Sequence, residues 1–205
     1  MNQLTYNFGD GTADGGAELK YLLGGKGANL AEMSNLGLPV PSGFTITTES
    51  CISFFQNKGA WPDGLEKAIE DSLALLEQRT GREFGSNTAP LLVSVRSGAP
   101  VSMPGMMDTI LNLGLNDNTV EALATQTGNP FFAYDAYRRF VKMFGDVVLG
   151  IHYARFNQAE QAFRKKIDHA ELSLEETKQL IRIYKNVIET EKFELPDDPM
   201  EQLAL

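Results

Sequence analysis

The chain has 205 residues, 42% apolar and 22% charged, enough to bury the core of one or two globular domains. Its formal net charge of −9 opposes binding along a nucleic-acid backbone, which needs clustered Lys and Arg, yet a local pair of cations can still attract a small anion. Cys51 is the single cysteine and His152 and His169 the only histidines, which excludes an internal disulfide framework and a Cys/His zinc constellation. A reducing, cytoplasmic setting is expected. No apolar run approaches the roughly 20 residues that span a bilayer, and Met1-Asn2-Gln3 does not open a basic-then-apolar leader. Neither membrane insertion nor secretion is expected.

Leu4-Thr5-Tyr6-Asn7-Phe8 alternates as a strand does and runs into a turn composition, Gly9-Asp10-Gly11. After Gly24-Gly25-Lys26-Gly27 a short helix is expected, with Leu30, Met33 and Leu36 at helical spacing and Gly37 as terminator. Pro39 and Pro41 enforce an extended connection, Gly43 to Thr47 reads as a strand, and Thr48 is placed to cap a helix through Phe54 and Phe55. Leu65, Ala68, Ile69, Leu73 and Leu76 form the apolar stripe of a longer helix that Gly81 stops. Leu91, Val93 and Val95 alternate as a buried strand.

From about Asn116 the pattern becomes helical. Asn129-Pro130 supplies an N-cap and an N1 proline for Phe131 to Leu149, where Phe132, Tyr137, Phe140, Val141, Phe144 and Val148 can face a core. His152 to Asp168 is weakly helical. Ser173-Leu174-Glu175-Glu176 fits a capping box for a helix carrying Leu180, Ile183, Val187 and Ile188, with Ile181 and Tyr184 flanking the stripe. After Pro196, Asp198-Pro199 starts a helix that runs only to Leu205, so the chain is expected to be the amino-terminal piece of something larger.

Two segments can carry chemistry. The strand ending at Arg96 delivers a guanidinium into the loop Ser97-Gly98-Ala99-Pro100-Val101-Ser102-Met103-Pro104-Gly105-Met106-Met107-Asp108-Thr109. Such a cation can fork onto phosphate oxygens, and backbone N–H groups near Gly98 and Gly105 can approach the same ligand; the alternative is an arginine that caps the sheet through an ion pair. Met103, Met106 and Met107 suit a mobile cover over a ligand or ordinary packing. Asp108 and Thr109 can place a hydroxyl or a metal-bound water near a phosphate, or cap the next turn. In Gly24-Gly25-Lys26-Gly27, three glycines open the backbone before a helix start that favours phosphate. It is not a Walker A loop, because Lys20 and Gly27 stand where that loop needs Gly and Ser or Thr, and a solvated lysine is the plain alternative. The histidines lie in polar helical sequence with no nucleophile at a suggestive spacing, and Glu175-Glu176 and Asp197-Asp198 read as helix-start and solvated charges.

Lys20-Tyr21-Leu22-Leu23-Gly24-Gly25-Lys26-Gly27-Ala28-Asn29-Leu30-Ala31-Glu32-Met33, then Gly37-Leu38-Pro39-Val40-Pro41-Ser42-Gly43-Phe44-Thr45, resembles the amino-terminal nucleotide-binding region of the pyruvate, phosphate dikinase family. The segment from Arg96 through Met103-Pro104-Gly105-Met106-Met107-Asp108-Thr109 to Leu115 is similar to the dikinase form specifically, and Asn129-Pro130 with Tyr134 to Phe140 continues the likeness. Phosphoenolpyruvate synthase shares the Gly-Gly-Lys and Val-Arg-Ser features and is the alternative, poorly matched by the Met103 to Thr109 loop; a stand-alone nucleotide-binding or interaction module is the other.

The resemblance implies an α+β protein, a partial ATP-grasp fold: an N-terminal mixed α/β lobe over residues 1–115, a helical subdomain over 116–195 and the start of a further helix over 196–205. It implies that ATP and inorganic phosphate phosphorylate a histidine on another domain, releasing AMP and pyrophosphate, and that the phosphohistidine then converts pyruvate to phosphoenolpyruvate. Lys26 and Arg96 would be the catalytic cations on the ATP phosphates, with Gly105, Asp108 and Thr109 in the loop over them. The chain lacks the Thr-Ser-His carrier motif, the second lobe with its acidic ligands for Mg2+, and the pyruvate-binding barrel. The fragment alone is therefore expected to be inactive, with the metal held outside it and the full-length enzyme a homo-oligomer.

Overall fold

The computed structural model describes residues 3–98 and 108–205. Their architecture is mixed α and β, in two packing units. The first takes the described residues up to Gly81 together with Arg96–Gly98 and Asp108; the second takes Arg82–Val95 and Thr109–Leu205.

In the first unit, β1 (Thr5–Gly9) pairs antiparallel with β2 (Thr12–Ala13) and with β3 (Gly43–Ile46), in the order β2-β1-β3. The register sets Tyr6 opposite Thr45 and Phe8 opposite Gly43, where a Cβ on Gly43 would lie 2.7 Å from the Phe8 ring. Three helices join the sheet: α1 (Lys20–Asn35), α2 (Thr48–Gln56) and α3 (Leu65–Thr80). The buried positions of α3 include Leu65, Ile69, Leu73 and Leu76, and Gly81 ends it at φ 64°.

Two expectations for this unit are corrected. The helix does not wait for the glycines to pass; α1 begins at Lys20 and breaks at Gly24, whose φ of 70° and ψ of 168° suit glycine alone, so Gly25-Lys26-Gly27 is the first turn of its second segment. The buried face of α1 is Leu23, Gly24, Gly27, Ala28, Ala31 and Ser34, while Met33 and Leu36 are 40% and 68% exposed. The reason is close approach: a Cβ on Gly27 would stand 2.7 Å from Thr45 Oγ1, a separation that larger side chains on that face would prevent. At α2 the cap is Thr47, which accepts from the Ser50 N–H at 3.2 Å, while the Thr48 hydroxyl donates to the Tyr21 carbonyl at 2.7 Å.

In the second unit, β4 (Glu83–Phe84) runs parallel to β5 (Pro90–Leu91), and β6 (Val93–Arg96) pairs with β7 (Thr109–Leu113). The single buried strand expected over Leu91–Val95 is thus two strands with different partners, and exposure rises along it from buried Leu91 to Val95 at 38%. Five helices follow: α4 (Thr119–Thr127), α5 (Pro130–Val147), α6 (Tyr153–Arg164), α7 (Leu174–Thr190) and α8 (Pro199–Ala204). α5 packs against α4, α7 and β7, and Tyr137, Phe140, Phe144, Phe156, Leu180 and Tyr184 lie in the core of the unit. The caps at Asn129 and Ser173 form as the spacing predicts, the latter as a complete capping box. Phe132 points outward at 48% exposure, and the face of α7 is rotated toward Ile181 and Tyr184, leaving Ile183 and Val187 only partly buried. β4, β5 and β7 belong to the same packing unit as these helices.

Candidate functional site

Arg96 is the last residue of β6 and is exposed. Immediately beyond it, the Ser97 N–H donates to the Asp108 carbonyl at 3.3 Å and the Ser97 hydroxyl to the same oxygen at 3.4 Å. This pairing brings the chain back beside its point of departure, so that Arg96, Asp108 and Thr109, the first residue of β7, stand at one end of the β6–β7 pair. Gly105 lies outside the described residues, as do Met103, Pro104, Met106 and Met107.

Lys26 sits on α1, in the same packing unit as Arg96 and Asp108. The break at Gly24 restarts the helix at Gly25; the first N–H groups of a helix have no intrahelical carbonyl partner, and the dipole there favours an anion. Half-buried Lys26 and exposed Arg96 form no ion pair or side-chain hydrogen bond among the described residues. In contrast, Arg138, Lys142, Arg164 and Lys185 in the helical unit each hold a carboxylate within 3.0 Å. Two cations without a carboxylate partner among the described residues, in a chain of net charge −9, suit a ligand that brings its own negative charge. Among the described residues, no group of three or more His, Cys, Asp or Glu is placed to hold a metal ion.

Two supporting residues escape motif reading. Thr45 sets how closely α1 approaches the sheet under Lys26, and Ser97 closes the base of the loop. Ser97 follows Arg96 directly and could be singled out by its position; Thr45 carries no local signal, because its contact is made across 18 residues of chain. An open groove of about 490 Å³, lined by Gln3, Thr5, Asn7, Asp63, Asp71 and Ser72 among others, contains none of the candidate residues. Its buried hydroxyls already serve the packing of β1 on α3: Ser72 donates to Thr5 at 2.9 Å and Thr5 to the Ala68 carbonyl at 3.3 Å. His152 caps α6 through Nδ1, which accepts from the Ala154 N–H at 3.1 Å, and exposed His169 lies between Asp168 and Glu176.

Residues 20–62 and 57–144, together more than half of the chain, match a family described as the pyruvate phosphate dikinase AMP/ATP-binding domain. Pyruvate, phosphate dikinase of Rhizobium meliloti (strain 1021) is 48% identical over 207 residues, 99% of this chain and 23% of that protein. The Giardia intestinalis enzyme of the same name is 50% identical over 188 residues, 90% of this chain and 21% of its own length. Pyruvate, phosphate dikinase 2 of Oryza sativa subsp. japonica is 48% identical over 209 residues, 100% of this chain and 23% of its own. The chain thus spans less than a quarter of the length of these curated relatives.

Proposed function

The chain belongs to the pyruvate phosphate dikinase AMP/ATP-binding domain family, and from that premise we propose that it supplies part of an ATP site in which Lys26 and Arg96 hold the nucleotide phosphates. Asp108 and Thr109 are proposed to border the same charge at the start of β7, and Gly105, which lies outside the described residues, is proposed as a site residue from the sequence alone. The architecture proposed is the first lobe of an ATP-grasp fold with a helical subdomain, a reading supported by the mixed α/β unit and the restarted helix carrying Lys26. In the full-length protein, ATP and inorganic phosphate phosphorylate a carrier histidine outside this chain, giving AMP and pyrophosphate, and the phosphohistidine then turns pyruvate into phosphoenolpyruvate. Magnesium would neutralise part of the triphosphate charge, and its ligands are proposed to lie elsewhere in the protein.

The observation that carries this reading is that Lys26, on the first turn of a restarted helix, and Arg96, at the end of β6, have no carboxylate partner among the described residues. Phosphoryl transfer depends on positioning and charge compensation, and that is what two such cations provide. The test uses the full-length protein carrying Lys26→Ala or Arg96→Ala. Phosphorylation of the carrier histidine by ATP is expected to fall by about 10²-fold or more, while its phosphorylation by phosphoenolpyruvate, which does not use this site, stays within a factor of about two. Equal loss of both half-reactions would assign the cations a structural role instead.

A further inference from the structure

We propose that Gln202 is a positioning residue for β7 and for Thr109 at its start, a role that rests on the phosphate-binding reading above. Gln202 lies on α8 and is 2% exposed. Its Oε1 accepts from the Gly114 N–H at 3.0 Å, and its Nε2 donates to the Leu115 carbonyl at 3.0 Å and to the Pro196 carbonyl at 2.8 Å. The carboxamide therefore clasps the backbone where β7 ends, much as a strand partner would.

The turn it clasps has little freedom to re-form. Gly114 has φ +105°, and a Cβ there would meet the Leu91 carbonyl oxygen and the Phe84 ring at 3.0 Å each. Asn116 seals the same seam. Its Nδ2 donates to the Asp197 carbonyl at 2.7 Å, while its Oδ1 accepts from the N–H groups of Asn118 and Thr119 at 2.9 and 2.7 Å. An apolar side chain at Gln202 would fill the space but leave the buried Gly114 N–H and the Leu115 carbonyl without these bonds. Turning the amide over would oppose donor to donor and acceptor to acceptor. The residue thus specifies an orientation as well as a volume.

That orientation reaches the candidate site through β7. Among the described residues β7 has β6 as its only sheet partner, and a two-stranded ladder is not stiff by itself. β7 is rooted by Ile110 and Leu113 in the core and by Gly114 in the grip of Gln202. From Gly114 back to Thr109 the strand spans about 16 Å, so a tilt of about 4° at the root moves Thr109 by about 1 Å. A displacement of about 1 Å in a reacting geometry can cost about 10²-fold in rate.

The experiment measures both half-reactions in the full-length protein carrying Gln202→Leu, beside Arg96→Ala. Gln202→Leu is expected to slow phosphorylation of the carrier by ATP at least tenfold and to leave phosphorylation by phosphoenolpyruvate within twofold. An even loss of both would reduce Gln202 to a structural residue and overturn the proposal. If Arg96→Ala shows the split and Gln202→Leu does not, the positioning role alone fails; if neither shows it, the phosphate reading fails as well. Should Gln202→Leu not accumulate in folded form, Gln202→Glu keeps the volume and the acceptor for the Gly114 N–H. Its ATP-side defect is expected to be several-fold and to shrink as the pH is lowered, because only the protonated acid can donate to a carbonyl. A defect even across both half-reactions, or one that does not change with pH, would refute the assignment.

Discussion

Replacing Glu160 with Gln tests the electrostatics of the helical unit. Glu160 on α6 accepts from three donors: Lys142 Nζ and the Tyr184 hydroxyl reach Oε2 at 3.0 and 2.6 Å, and Arg164 Nε reaches Oε1 at 3.0 Å. Its side chain is 16% exposed and that of Lys142 12%. Burial alone raises the carboxyl pKa, but the hydrogen bonds from Tyr184, Lys142 and Arg164 outweigh it and bring the group from 4.5 down to about 2. A depressed carboxylate adds stability that is complete above its unfolded pKa and is lost as the pH falls through its folded one. The difference converts to roughly 2–3 kcal/mol at neutral pH once partial hydration is allowed for.

Gln cannot carry the charge, and it leaves the Lys142 ammonium in a half-empty site, where it keeps Asn157 Oδ1 at 2.8 Å and the Tyr153 ring at 4.5 Å. Urea denaturation of the wild type and Glu160→Gln is expected to differ by about 2–3 kcal/mol at pH 7. The gap should narrow below about pH 4.5, with roughly half of it gone by pH 3. A difference below about 1 kcal/mol at pH 7, or one that stays constant down to pH 2.5, would refute the reasoning.

Gly27→Ala sets two effects against each other. Helix propensity favours Ala by about 1 kcal/mol, but the new methyl would sit 2.7 and 2.8 Å from Thr45 Oγ1 and Cγ2, and overpacking of this kind costs about 1–3 kcal/mol. A lower melting temperature, partly restored by adding Thr45→Ala, is expected; an unchanged or higher one would mean that α1 does not rest on β3 as closely as described. At His169, hydrogen bonds that the ring donates to the Glu176 and Asp168 carboxylates raise the pKa above 6.5. The interaction is therefore fully present below pH 6.5 and fades as the pH rises through the raised value. An NMR titration should place the midpoint above 6.5 and move it down in Glu176→Gln, which keeps the helix cap intact; a midpoint unaffected by that substitution would show that the pairing does not form.

Local chemistry was legible in the residues themselves. Asn129-Pro130, Ser173 with Glu176, and the glycine stop at Gly81 form as the spacing predicts, since a cap and its partner lie within about three residues of each other. The residues proposed for the site, Lys26, Arg96, Asp108 and Thr109, stand out in the sequence by residue type and by the glycines, methionines and prolines around them. What could not be read was anything set by a distant partner. Met33 and Leu36 promise an apolar face for α1, yet Thr45 and the missing side chain of Gly27 turn the helix to lie on its small residues.

Leu91 and Val95 look like one strand, and only their different neighbours, β4 and β7, divide them. Gln202 gives no warning at all: in the chain it is a polar residue beside an apolar ending, and its three bonds reach Pro196, Gly114 and Leu115. Residue order alone determined the caps at Asn129 and Ser173, the glycine stop at Gly81 and the charges available for a phosphate, because these depend on backbone sterics and neighbours a few positions away. Tertiary structure alone decided which faces are buried, which strands pair and which polar groups are held in place, because those depend on free energies shared between segments up to 88 residues apart in the chain.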